Sequence, residues 1–296
     1  LLIIFISPII KIRIGHIHCD RIGHFAMNTE LCVLEKKYLS KNNNSKQIDI
    51  MYLPRKPSCN YTLEQLWKRK LNILPRFILR PVSLIIRSFP ILESFNAKSI
   101  NGDRDVLNLI DLFGPTLEFT KEENQLGMKY LQDFGLGRDS KYVCIMCRDS
   151  SYLNSFYGSD FRTHDYRNSD INNFLEVAEE LTKLGYFVFR MGSIANEPFN
   201  TSNKKIIDYP FSEKKSDFLD IFISANCHFC ITTGLGLDAI PNIFRKPIVY
   251  VNFAPLETIH TTSENYIILP KYYYNKKLGR KMTLSEIMDS DAFGAL

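Results

Sequence analysis

The sequence contains no Gly-x-x-x-x-Gly-Lys-Ser/Thr loop, no His-Glu-x-x-His pair and no Gly-x-Ser-x-Gly turn. A Walker-type phosphate loop, a zincin centre and an α/β-hydrolase nucleophile are therefore excluded. Long apolar runs are also missing. The opening Leu1–Ile10 is apolar but contains Pro8, and it falls short of the ~20 residues that a spanning helix needs. No small-residue cleavage site follows it. The β-branched run Ile9–Ile17 reads as a buried strand, and the alternative is the remnant of an upstream anchor. Neither sign of charge is in large excess: 37 Lys and Arg against 32 Asp and Glu leave +5, too little to argue for nucleic acid. The 7 cysteines are odd in number and scattered, which argues against a disulfide scaffold and for a reducing, cytoplasmic compartment. The chain does not begin with Met and stops at Leu296, as a fragment or trimmed chain would.

What is present is globular. Apolar residues make up 45% and charged residues 23% of 296, close to average. That length suggests two domains, and 15 Tyr and 21 Phe can fill much of a core.

The first half reads as a strand at 9–18, a loop at Asp20–Asn28, a helix at Thr29–Leu39 and a strand at Gln47–Leu53 stopped by Pro54. This β-loop-α-β order argues for a parallel sheet. Leu63–Leu92 is rich in Leu, Ile and Phe and carries Lys68, Arg69, Lys70, Arg76, Arg80 and Arg87. Pro75, Pro81 and Pro90 are expected to break it into short helices. It reads either as helices covering a sheet or as a basic amphipathic surface for an anionic membrane. Thr120 with Glu123 fits a helix start, and that helix runs to about Asp133. The polar linker Gly135–Ser140 sets the domain boundary, giving 1–138 and 139–296. The second half alternates strands at Tyr142–Cys147, Tyr186–Arg190, His228–Thr232 and Pro247–Val251 with helices at Ile171–Leu184, Asp217–Ala225 and Leu235–Phe244. That is a doubly wound α/β pattern.

In such folds ligands bind beyond the carboxyl ends of strands. After the first strand come Arg21, Gly23, His24, Asn28 and Glu30. Gly23 permits close backbone approach, and His24 is a candidate general base, with a structural histidine as the plainer reading. Arg148, Tyr152, His164, Tyr166 and Arg167 lie on one long loop, which suits a phosphorylated ligand. Arg190 and Gly192 end another strand. Arg190 there either points into the cleft, the favoured reading, or reaches a surface acid. Cys230-Ile231-Thr232-Thr233-Gly234 leads into a helix carrying Asp238, and a helix start of this kind is an anion site. Cys144/Cys147 and Cys227/Cys230 have zinc-like spacing, but residues three apart on a strand face opposite sides, so no metal is assigned. Asp289-Ser290-Asp291 is read as a coincidental Asp-x-Asp.

Taken together, Arg21-Ile-Gly-His-Phe-Ala-Met-Asn-Thr-Glu30, Val143-Cys-Ile-Met-Cys-Arg-Asp-Ser-Ser-Tyr152, His164-Asp-Tyr-Arg-Asn168, Phe189-Arg-Met-Gly192 and Thr233-Gly-Leu-Gly-Leu-Asp238 resemble a family of bacterial glycosyltransferases of the GT-B architecture. The Thr-Gly turn followed by Lys246-Pro247-Ile248-Val249 also resembles the donor half of heptosyltransferases. The resemblance implies two Rossmann-like parallel-sheet domains facing a cleft. The second domain holds a nucleotide-sugar donor, and the first holds a cell-envelope glycan or lipid-linked acceptor. Arg148, Arg167 and Arg190 would contact the diphosphate or sugar, while Thr232, Thr233 and Gly234 would cradle phosphate. His24 or Glu30 would be the acceptor-side base, and no cofactor or metal would be needed. A sugar-nucleotide epimerase and a carbohydrate-binding module without turnover are the competing classes.

Overall fold

The computed structural model describes residues 2–41, 47–98, 102, 104–149, 162–259 and 263–290, with backbone alone at 2, 41 and 162–164. The chain divides into two compact units. The first is Leu1–Thr120 with Ile243–Arg245, and the second is Lys121–Asn242 with Lys246–Leu296.

The first unit begins with a short helix α1 (Leu2–Ile6) and strand β1 (Lys11–His16), followed by α2 (Ile22–Lys41), β2 (Gln47–Tyr52), α3 (Tyr61–Lys70), β3 (Asn72–Ile73), α4 (Arg76–Ser88) and α5 (Leu109–Leu112). The sheet is parallel in the order β1-β2-β3. On the free side of β1 the backbone at Asn96 makes a parallel bridge to Ile14, and the Ala97 N–H donates to the Ile14 carbonyl at 3.1 Å. Gly15 allows this approach, because a Cβ there would stand 1.8 Å from the Ala97 carbonyl oxygen. Ile14 and Tyr52 pack with Leu79 and Ile86 of α4. Trp67 of α3 is fully buried and its indole N–H donates to the Phe25 carbonyl at 3.1 Å.

Two expectations for this unit are corrected. The helix after β1 starts at Ile22, not Thr29, because Phe25 and Ala26 continue its buried face. Gly23, His24 and Asn28 are thus helical. Pro81 sits inside α4 and does not break it. Pro81 and Phe77 are exposed, so the carbonyl that the proline leaves unpaired faces water.

The second unit starts with α6 (Lys121–Asp133) and β4 (Tyr142–Met146), continuing through α7 (Leu175–Lys183), β5 (Phe187–Met191), β6 (Ile206–Asp208), α8 (Asp217–Asn226), β7 (Phe229–Thr232), α9 (Ala239–Ile243), β8 (Ile248–Phe253) and β9 (Tyr266–Pro270). A two-stranded ribbon, β10 (Tyr274–Asn275) with β11 (Arg280–Lys281), and α10 (Leu284–Met288) follow. The six strands run parallel in the order β6-β5-β4-β7-β8-β9, the doubly wound order. Every residue of β4 is buried, as a strand covered on both faces requires. Val143 and Ile145 pack against Phe174, Ala178 and Leu181. From the alternate positions, the Tyr142 hydroxyl reaches the Ile223 carbonyl of α8 at 3.0 Å.

The division falls at Thr120/Lys121, earlier than the expected 138/139. Helix α6 belongs to the second unit because Gly127 lies flat on Phe222, and because Tyr130 and Phe134 meet Phe218 and Phe189. The expected Leu235–Phe244 helix is only a 3-10 turn at Gly236–Asp238 and the five-residue α9. Among the described residues no helix is long and apolar enough to cross a membrane.

Candidate functional site

In the second unit the strand order reverses between β4 and β7. The crevice beyond such a reversal is where doubly wound sheets take ligands. The residues that follow these two strands are tied together there. The Arg148 N–H donates to the Thr233 hydroxyl at 2.8 Å, and the Thr233 N–H donates to the Met146 carbonyl at 3.0 Å. Arg167, arriving from the long loop, donates through Nη2 to the Gly234 carbonyl at 3.0 Å. Its buried Nε has no hydrogen-bond partner among the described residues. Gly234 adopts φ 81° and packs on the Phe253 ring. Lys271, which the sequence did not single out, holds the loop by donating to the Tyr166 and Asn168 carbonyls at 2.8 and 2.6 Å. Burial holds its ammonium below the usual lysine range. The Arg148 backbone, the Arg167 guanidinium and the glycine turn therefore meet at the switch point, and Lys271 braces the loop that delivers Arg167.

Not every predicted residue joins them. Arg190 is 3% exposed and turns sideways to Asp208, its register partner on β6, at 3.2 Å. It also donates to the Glu197 carbonyl. The expectation that it points into the cleft is corrected, because the neighbouring strand supplies a carboxylate in register. Gly192 follows β5 at φ 153°, with Pro210 beside it. The Thr232–Asp238 turn is closed on itself. The Asp238 carboxylate accepts from the Thr232 hydroxyl at 3.0 Å and from the Leu235 N–H at 2.9 Å, while the Gly234 N–H donates to Thr232 Oγ1. An anion cradle at this turn is not what the geometry presents. The chain's own carboxylate takes the donors, and a five-residue helix adds little dipole. Tyr152 and the His164 side chain lie outside the described residues.

In the first unit a cavity of 260 Å³ opens beyond the carboxyl end of β1, beside the bridge at Asn96. Its lining includes His16, His18, Asn28, Arg87, Asn96 and Lys98. Burial, then the neighbouring His18 and Arg87, push His16 down to about 4, so it is neutral at pH 7. Asn28 Oδ1 is buried with no hydrogen-bond partner among the described residues, an acceptor suited to a ligand hydroxyl. His16 and His18 stack edge to face at 4.8 Å, and His24 in the first turn of α2 lies 6.2 Å from His18. The sequence reading found Asn28 and His24. It missed His16 and His18, which end the first predicted strand, and Lys98, which carries no local signal. Arg21 is exposed and, with Gly23 and His24, is not part of the lining.

Glu30 is corrected as a base. It is fully buried, and its Oε1 accepts from Arg245 at 2.7 Å and from the Thr116 N–H at 3.3 Å. Burial raises its pKa even so, and an acceptor hydroxyl has no path to a carboxylate so enclosed. Cys144, Cys227 and Cys230 are buried thiols, and among the described residues no group of three or more His, Cys, Asp or Glu is placed to hold a metal.

No protein-family model matches this chain, and no curated protein sequence does. Its fold is nevertheless shared with solved structures. The glycosyl transferase family 9 protein from Veillonella parvula matches with a TM-score of 0.56 at 13% identity, over 89% of this chain and 87% of that one. The ADP-heptose LPS heptosyltransferase II of E. coli matches with a TM-score of 0.52 at 13% identity, over 90% and 92%. At this identity the likeness is one of fold.

Proposed function

We propose that this protein is a glycosyltransferase. On this reading the second unit holds a nucleotide-sugar donor at the β4/β7 switch point, and the first unit receives the hydroxyl of a glycan or lipid-linked acceptor. The observation that carries the reading is the Arg167 guanidinium on the Gly234 carbonyl, beside the point where the Arg148 backbone is tied to Thr233; a diphosphate there would meet a planar, permanently charged donor, with the Arg148 side chain issuing from the same place. The shared fold supports it. The bond from the sugar to the diphosphate breaks as the acceptor oxygen attacks, and the arginines stabilise the charge that builds on the leaving group. For an inverting transfer the hydroxyl proton passes to an imidazole of the His16, His18 and His24 group, of which His16 and His18 line the cavity and His24 lies next to His18. The cavity at His16, Asn28 and Lys98 positions the acceptor.

A thermal-shift panel of ADP, UDP, GDP and CMP sugars tests this reading. A donor at 100 times its dissociation constant adds ~2.7 kcal/mol. One nucleotide class should stabilise the protein selectively. Losing a charged hydrogen-bond donor costs roughly 1.5–3 kcal/mol, so Arg148→Ala and Arg167→Ala should each weaken that binding at least about tenfold. No stabilisation of a folded sample by any member refutes the donor site. Conversion of donor without acceptor would assign an epimerase instead, and binding without any turnover a carbohydrate-binding module.

A further inference from the structure

Helix α4 is apolar on both sides. Leu79, Ser83 and Ile86 face the sheet and are buried. At 100° per residue, Phe77, Ile78, Pro81, Leu84 and Ile85 fall on the opposite face. They are exposed, Phe77 by 80%. The chain just beyond α4 adds two more exposed apolar side chains, Phe89 and Ile91, the latter 87% exposed. Arg76, Arg80 and Arg87 form a row along one flank of the same helix. Lys68 and Lys70 of α3 are paired with Glu64 and Glu118, whereas residues 71–92 contain three arginines and no Asp or Glu. Helix α1 packs through Ile3 on the cluster beneath α4 and leaves Phe5 77% exposed.

We propose that this face is a membrane-docking surface. Helix α4 lies in the plane of an anionic bilayer, with Phe77, Ile85, Phe89 and Ile91 among the acyl chains and Arg76 and Arg80 at the headgroup phosphates. Apolar residues this exposed, bordered by arginine, fit a helix lying at the interface, and the long arginine side chains reach the headgroups. Charge selects the occupant. A second copy of the chain docking on this face would set arginine rows against each other, with no carboxylate in the segment to offset them. Anionic lipid supplies the missing charge. The inference stands independently of sugar transfer, since it uses none of the donor-site residues.

Vesicle co-sedimentation of the full chain tests the surface, with phosphatidylcholine alone and with phosphatidylcholine–phosphatidylglycerol mixtures. The protein should pellet with the anionic vesicles and be released by salt. Each arginine near such a surface is worth about fivefold in binding, so Arg76→Glu with Arg80→Glu should reduce pelleting by more than about 25-fold. Phe77→Ser with Ile85→Ser should abolish it while circular dichroism and melting temperature are unchanged. These sites are solvent-exposed, so folding is retained. Failure to pellet with anionic vesicles overturns the proposal. So does pelleting unaffected by either pair of substitutions, or a stable dimer in lipid-free solution that Phe77→Ser disperses.

Discussion

Arg245→Met isolates what the buried Glu30 carboxylate does. Arg245 Nη2 donates to Glu30 Oε1 at 2.7 Å and to the Gly114 carbonyl at 3.0 Å. Its Nε donates to the Phe113 carbonyl at 2.9 Å. Glu30 has no exposed surface, and its Oε2 has no hydrogen-bond partner among the described residues. Removing the guanidinium leaves a buried charge uncompensated, which costs about 3–5 kcal/mol. Glu30→Gln keeps the shape and an acceptor for Arg245 and Thr116, so it should cost only about 1–2 kcal/mol. The double variant should be more stable than Arg245→Met, since no charge remains to strand. The sign with pH follows from the raised pKa of Glu30. A carboxyl whose folded pKa lies above its unfolded value penalises the fold fully above the folded pKa, and the penalty disappears as pH falls below the unfolded one. The Arg245→Met deficit should therefore be largest near pH 8 and shrink toward pH 5. Trp67 is the chain's single tryptophan and is fully buried in the first unit, so its fluorescence during urea unfolding reports this unit alone. A loss below about 1 kcal/mol at pH 8, or a deficit that does not change with pH, would refute the argument.

Three further outcomes are expected. Gly15→Ala should unfold the first unit or displace the Asn96–Lys98 segment, because its Cβ meets a backbone carbonyl at 1.8 Å; loss of Trp67 burial reads this directly. Gly127→Ala, whose Cβ would stand 2.2 Å from the Phe222 ring, should destabilise the second unit by about 1–3 kcal/mol through overpacking. It should leave the Trp67 transition in place. Asp220 is raised to about 6, chiefly by burial and further by Asp217, so its charge opposes folding increasingly from about pH 4 to 6 and fully above that. At 1.36 kcal/mol per unit, Asp220→Asn should remove up to about 3 kcal/mol of this pH dependence. It retains an acceptor for the Tyr209 hydroxyl, which donates to Asp220 at 2.8 Å. A melting temperature with the same pH slope in wild type and variant would contradict the assignment.

The sequence by itself determined the alternation of strands and helices in the second half. Each apolar run, such as Tyr142–Met146 or Phe187–Met191, carries its own β-branched and aromatic signal, and Gly185 marks the helix end before it at φ 94°. It also placed Arg148, Arg167 and the Thr233–Gly234 turn after strands, where ligands bind. What it did not contain was which strand lies beside which. The β6-β5-β4-β7-β8-β9 order brings Arg148 to Thr233 across 85 positions, and it gives Arg190 to Asp208. The first-unit cavity draws on β1 and the residues just after it, α2, β2, α4, the Asn96–Lys98 segment and Gly102, stretches with no shared local pattern. Glu30 reads as an N-terminal helical carboxylate until Arg245, 215 residues away, closes on it. Periodicity is a property of neighbouring residues and so is written locally. The partner of a charge depends on which distant segment folds against it, and only the tertiary structure decides that.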